Sequence, residues 1–285
     1  MHQILLTTFS LVVTFSVLAS FLPQIRHVWL RKENGRVCLN YLLLNLISSV
    51  VNLFLPFFFT VNAGQDMPVW AHVPRIALDW INLAQLAGIW ALFNVLFCLA
   101  IYYSPISRTR KAKRIAVYLF VLAISLVPLM IDATTDLFCS PMKSPCGVPD
   151  LMEFFMALHQ HILQPVTLAL MVISFYGQAH QRTIDLSPTG LKLQSFIFFI
   201  SAVWWMFRIN MPWDMIDDEA PLPFSAKVMV WLLYARFTAC GDAIFAIGQC
   251  VLLRLVLRKS RDEAPHAAME RQPLLNSTHE DIEHV

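Results

Sequence analysis

Charge is scarce in this chain. Only 14% of its 285 residues are Asp, Glu, Lys or Arg, against about a quarter in soluble domains, and 57% are hydrophobic, for a mean hydropathy of +0.59. A water-facing surface cannot be built from that composition, so the chain is read as crossing a membrane several times. Cysteine is sparse as well. Six in 285 residues make no disulfide framework, and no spacing among them matches a zinc site or a redox dithiol. A phosphate-binding glycine loop with its lysine is missing, so nucleotide hydrolysis is not the expected energy source. Paired catalytic carboxylates and metal-ligand clusters near one membrane face are missing too, so an enzyme is not expected. Neither a cofactor nor a metal nor a nucleic-acid partner is called for. No Lys or Arg precedes the first apolar run and positive charge follows it, which argues against a cleaved signal peptide despite the small residues of SVLAS.

Long uncharged runs are what the chain has instead. They cover 4–25, 37–65, 80–107, 115–131, 154–181 and 193–207, and a seventh, 228–253, is interrupted only by Arg236 and Asp242. At about 20 residues per crossing, seven transmembrane helices are expected. The runs 115–131 and 193–207, of 17 and 15 residues, are short and need Arg114, Lys192 and Arg208 to extend their stems toward the headgroups. Every face of these runs is apolar, unlike the alternating strands of about ten residues that build a barrel.

Basic residues set the expected orientation. The links after runs one, three and five, together with the segment after run seven, hold 15 of them, among them Arg26, Arg31, Arg110, Lys113, Lys192 and Arg258; the other links hold four, Arg75, Lys143, Arg208 and Lys227. The positive-inside rule then predicts a luminal N-terminus and a cytosolic C-terminus, with the acidic cluster Asp214, Asp217, Asp218 and Glu219 on the luminal side. Cys38, Cys98, Cys240 and Cys250 fall in or beside the runs and read as small apolar core residues. Cys139 and Cys146, in FCSPMKSPCG of a predicted luminal link, are the disulfide candidates, since oxidation is open to them there.

Two stretches look like copies of one unit. FLPQIRHVWLRKENGRVCLNYLLLN and FYGQAHQRTIDLSPTGLKLQSFIFF each join two apolar runs through a small or imino residue, a Gln, a polar link and a Gly; Pro23 to Gly35 is 12 residues and Gly177 to Gly190 is 13. Each unit closes with a third run holding an acidic residue and a later glutamine, Asp79 with Gln85 and Asp242 with Gln249. An odd helix between two three-helix units makes them parallel repeats, which place a substrate site between the halves near the midplane. The expected architecture is all-α with seven transmembrane helices arranged 3+1+3. Residues 1–107 form the first repeat, 108–135 the basic link and linker helix, 136–257 a luminal loop and the second repeat, and 258–285 a disordered cytosolic tail.

With these motifs, PQIRHVWLRKENGRV, LDWINLAQLA and GDAIFAIGQCVLLR, the chain resembles the PQ-loop family of seven-helix transporters. That family includes cystinosin and the lysosomal and vacuolar cationic amino acid exporters, with the SWEET sugar transporters and the KDEL receptor as more distant relatives. The resemblance runs from the first helix to about Leu257 and departs from the family at Gly177-Gln178, where Pro-Gln is usual. It implies that Asp242 is the proton-coupling carboxylate.

Physical reasoning on single residues adds to this. Proline within a helix removes a backbone hydrogen bond, at about 3 kcal/mol unless the ends move, and Gln24 offers both a donor and an acceptor to exchange partners. Pro23 with Gln24 and Gly177 with Gln178 are therefore the candidate gates; the alternative is that Pro23 merely ends a helix. An ionised Asp242 in mid-bilayer costs roughly 3 kcal/mol and needs a partner, water or a proton. Arg236, six positions back, lies about 120° around the helix and is a poor partner within it. Asp79 and Arg236 are candidates for an ion pair across the halves or for a charged substrate, and Gln85, Gln249, Asn45 and Asn82 for a polar cavity or helix contacts. His159 and His161, near the start of the fifth run, are either a luminal pH sensor or ordinary interfacial residues.

In the tail, Glu270 four residues before Leu274-Leu275 looks like an acidic dileucine sorting signal read by adaptor complexes. Asn276-Ser277-Thr278 is a glycosylation sequon on the side where it stays unmodified. The expected function is proton-coupled export of a small polar solute, an amino acid by class, from vacuole or lysosome to cytosol. A ligand-binding or cargo-retrieval receptor without flux is the alternative.

Overall fold

The computed structural model describes residues 2–32, 38–62, 70–135, 154–181, 186–208 and 223–271, and of residues 2, 224, 226–237 and 262–271 the backbone alone. Among these residues the fold is all-helical, without strands. Seven helical spans are long and apolar enough to cross a membrane: Gln3–Arg31, Leu39–Asn62, Ala77–Tyr103, Arg108–Thr135, Phe154–Ala179, Pro188–Arg208 and Thr238–Arg261. They are called the first to seventh spans below. The fourth and sixth, short by their uncharged runs, reach 28 and 21 residues because the helices continue through their polar flanks.

The first span differs from its sequence reading. Pro23 does not close a helix. One helix ends at Ala19 and another, Leu22–Arg31, begins with Pro23 in its first turn. The break follows from the missing N–H and the ring, which deny the Ala19 carbonyl its partner four residues on. Ser20 donates its hydroxyl to the Val17 carbonyl at 2.6 Å, satisfying one of the freed acceptors. Two further irregularities lie near prolines: a π-helical turn over Phe58–Asn62 follows Pro56, and another over Leu158–Leu163 precedes Pro165. The last helix also departs from expectation, because it runs from Phe224 to Arg271 and so carries helix into the segment read as a disordered tail. Alanine, arginine, glutamate and methionine in 262–271 are strong helix formers and extend a helix already nucleated in the seventh span, which continues past Pro265 despite the backbone hydrogen bond that proline removes.

The first, third, second, fifth, seventh and sixth spans pack side by side in that order, and the sixth returns to the first; the fourth lies outside against the second. The second span is the most enclosed, with 83% of its apolar window buried. Large apolar side chains such as Phe15, Phe120, Phe199 and Phe207 point outward. An outward apolar coat suits lipid, where it has no need of water. The interior carries polar groups instead. Asn45 donates to Ser174 Oγ at 3.0 Å, joining the second and fifth spans, and Trp204 Nε1 donates to Ser10 Oγ at 2.9 Å, joining the sixth and first.

Close packing at Gly248 allows a quantitative check. A Cβ there would lie 2.5 Å from three ring atoms of the buried Phe175. Gly248→Ala is therefore expected to destabilise the chain by about 1–3 kcal/mol, as overpacking does. Thermal unfolding of the purified protein in detergent measures it.

Candidate functional site

A line of hydrogen-bonded polar side chains crosses the bundle interior. Ser201 on the sixth span donates its hydroxyl to Asp242 Oδ2 on the seventh at 2.6 Å. Gln85 on the third span donates Nε2 to Ser201 Oγ at 2.9 Å, and its Oε1 accepts from Thr14 Oγ1 of the first span at 3.1 Å and from Arg208 Nη2 at 2.9 Å. All five residues are buried. Arg208 and Asp242, at the two ends of this relay, are close enough to interact electrostatically. The arrangement places a carboxyl group and a guanidinium within one hydrogen-bonded chain, so a change of charge at the carboxyl is felt at the cation.

Beside Asp242 lies a central cavity of about 30 Å³, lined by Asn45, Asn52, Phe93, Phe198 and Phe245 among others. Ligand pockets run to about 300–1,000 Å³. This conformation is therefore closed around its polar centre.

Toward the basic-loop end the closure is built in two layers. The first is aromatic, with one phenylalanine from each of five spans: Phe21, Phe93, Phe175, Phe198 and Phe245. Phe245 is the hub, with ring centroids 4.5 Å from Phe198 and 5.7 Å from both Phe93 and Phe175. Phe21 meets Phe93 at 5.1 Å. Such edge-on and tilted pairs add about 0.5–1.5 kcal/mol each beyond the area they bury. The second layer is a pair of reciprocal bonds. Gln24 Oε1 accepts the backbone N–H of Ser187 at 3.1 Å, and Gln178 Oε1 accepts that of Cys38 at 2.8 Å. Ser187 and Cys38 immediately precede the helices of the sixth and second spans. Each glutamine thus caps the start of another span, Gln24 of the first span that of the sixth and Gln178 of the fifth span that of the second, at positions where helices leave N–H groups without internal partners. Gly190 packs beside Gln24, where a Cβ would lie 3.4 Å from its N and Oε1. Gln249 lies between the layers and donates to Tyr41 Oη at 2.9 Å.

Gly177 itself meets nothing: a Cβ there would have no neighbour within 4 Å, and the helix Gln164–Ala179 passes through it unbroken. The two glutamine contacts are therefore alike, while the helices that carry them differ.

The opposite end is organised around Asp79. Its Oδ2 accepts the backbone N–H groups of Ile76 at 2.9 Å and His72 at 3.1 Å, and its Oδ1 lies 2.9 Å from His72 Nδ1. Asp79 is thus a helix cap and loop fastener at the start of the third span. Arg75 folds back onto the same turn, donating to the His72 carbonyl at 2.6 Å. Burial pulls the Arg75 guanidinium below its usual range while Asp79 pulls it back up.

Of the residues singled out from sequence, Asp242 and Gln85 come together in the relay, Asn45 lines the cavity beside it, and Gln249 sits one layer away. Pro23, Gln24, Gly177 and Gln178 occupy the basic-loop end. The Arg236 side chain, the Glu270 side chain, Leu274, Leu275, Cys139 and Cys146 lie outside the described residues, as does the acidic cluster of Asp214. His159 does not face outward. It is fully buried, stacked on Phe54 at 3.9 Å, with Ser125 Oγ 3.2 Å from Nε2. Arg208 does not extend its stem outward either, being 3% exposed, with its guanidinium carbon 3.4 Å from the Trp205 ring centroid. The relay members Thr14 and Ser201 escaped sequence reasoning because hydroxyls are common in apolar helices.

Comparison of the chain with family models, with curated proteins and with solved structures gives no match.

Proposed function

We propose that this chain is a proton-coupled exporter of a small polar solute, an amino acid by class, working by alternating access between two parallel three-helix repeats. The observation that carries the reading is Asp242: a buried carboxylate, tied by Ser201 and Gln85 to the other half, beside a central cavity sealed on the basic-loop side. The order in which the spans pack supports the 3+1+3 arrangement, with the first three and the last three spans each contiguous and the fourth outside. So do the two glutamine caps, which relate one half to the other reciprocally. The PQ-loop resemblance supports the same architecture and gives Asp242 the proton.

In this reading the N-terminus is luminal, the C-terminus cytosolic, and the membrane that of the vacuole or lysosome. Asp242 and a solute are loaded from the acidic lumen. Release to the cytosol requires the two caps and the phenylalanine layer to part. A buried neutral hydrogen bond contributes about 1 kcal/mol, so the two caps hold the cytosolic side with about 2 kcal/mol, little enough to exchange in every cycle. The break at Ser20-Phe21 lets the Leu22–Arg31 segment swing with Gln24.

The test uses the tail. Leu274→Ala with Leu275→Ala removes the sorting signal and is expected to bring the protein to the cell surface. There, at acidic external pH, amino acids and sugars are applied in turn while proton current is recorded. A substrate-evoked inward current supports the reading. Specific binding of a ligand with no current and no tracer flux at confirmed surface expression would instead make the protein a receptor.

A further inference from the structure

The buried Arg208 is electrostatically incomplete. Of its three guanidinium nitrogens, only Nη2 has a hydrogen-bond acceptor among the described residues, Gln85 Oε1, and that oxygen is neutral and already shared with Thr14. Nε and Nη1 are buried without a partner among the described residues. Trp205 covers one face of the cation, which recovers part of its lost hydration, but a ring face does not accept the remaining N–H bonds. A cation held inside a membrane protein in this way is normally paired.

The surroundings offer further unmatched polar groups at the same end of the bundle. Asn82, three residues before Gln85 and so on the same helical face, is fully buried and has no partner for either Nδ2 or Oδ1. Trp70, whose ring lies 5.3 Å from that of Trp205, is buried with its indole N–H unbonded. Its backbone sits at φ 72, a left-handed conformation unfavourable for an aromatic residue. Strain of this kind persists only where the surrounding structure holds the residue in place, and it gathers at functional sites.

Asp242 is the carboxylate that faces this cation, through Ser201 and Gln85. When Asp242 is protonated, Arg208 has no counter-charge among its described partners. A second carboxylate, arriving with the solute, restores the balance. We propose that Arg208 and Asn82 form a carboxylate-binding subsite, so that the transported solute carries a free carboxylate, with Asn82 Oδ1 available to an ammonium group of the same molecule. The inference rests on the transport reading for its direction of flux, and on the geometry alone for the binding.

The test is therefore one of binding. Thermal unfolding of the purified full-length chain in detergent is followed with millimolar L-amino acids, their primary amides, the corresponding decarboxylated amines, sugars, and sodium chloride or phosphate. One or more acids are expected to raise the unfolding temperature, while the matching amide and amine leave it unchanged. Arg208→Gln is expected to weaken that binding by about ten- to a hundredfold, the loss of a charge-assisted contact, and Arg208→Lys to weaken it less. Equal shifts from acid and amide in the wild-type chain overturn the proposal without any appeal to a mutant's folding. So do shifts from the inorganic anions alone, from sugars alone, or from nothing in the panel. Carboxylate-dependent binding without flux in sealed vesicles keeps the subsite and removes the transporter reading; flux confined to uncharged solutes does the reverse.

Discussion

Asp242→Asn is expected to abolish proton-driven net export, reducing it to the level of protein-free liposomes, while leaving solute-for-solute exchange intact. An asparagine imitates the protonated carboxyl permanently. It keeps the acceptor that Ser201 needs at 2.6 Å, so the relay through Gln85 and the packing around it are preserved. What it loses is the cycle. A carrier that stays in its protonated form can carry a loaded solute inward and outward, but it gains nothing from a pH gradient, because no proton is taken up on one side or released on the other. Net export and counterflow exchange, measured in the same liposome preparation, separate the two. Loss of both activities in a folded variant would give Asp242 a structural or substrate-holding role, and retention of both would take proton coupling elsewhere.

The second large effect is expected at the basic-loop side, where the chain supplies its own reporter. Cys38 is half-buried, and its backbone N–H is held by Gln178. In a background where the other cysteines are replaced, the rate at which a maleimide modifies Cys38 follows the fraction of time this side stands open. Gln178→Ala removes one cap and Gln24→Ala the other. At about 1 kcal/mol each, the single variants shift the opening equilibrium by about fivefold and the double variant by about thirtyfold, and Cys38 labelling should accelerate in the same proportions. A luminal substrate that drives the protein toward the cytosol should accelerate the wild type as well. If labelling in the double variant equals that of the wild type, the glutamines are static caps and the phenylalanine layer alone does the sealing.

How far these residues were visible in the sequence depends on how strongly each departs from its background. Seven spans were legible because uncharged runs of 15 to 29 residues are unmistakable, and the structure lengthens the two short ones by continuing helix through polar flanks. Asp242 stood out for the same reason, as a lone carboxylate in an apolar run. Pro23 and Gln24 were recognised as a breakpoint, but the break falls at Ser20-Phe21, since a proline disturbs the carbonyl four residues before it and not its own position. Asp79 looked like an intramembrane charge; its side chain instead folds onto the loop before its helix, and capping of that kind depends on the path of His72 to Ile76. Arg208 read as an interfacial anchor because it ends a run. Only the neighbouring Trp205 and the facing Gln85 turn it inward. The phenylalanine layer was hidden among 21 phenylalanines, most of which a membrane helix uses without distinction.

The most direct test of the central claim is flux through the purified chain in liposomes with an acidic interior, loaded with the amino acid identified by binding and with a pH-sensitive dye. The account predicts that solute leaves faster when the interior is acidic, that each departure draws protons out with it, and that collapsing the gradient with a protonophore slows net efflux toward background. Efflux at an unchanged rate after the gradient is collapsed, with no movement of protons, would contradict it.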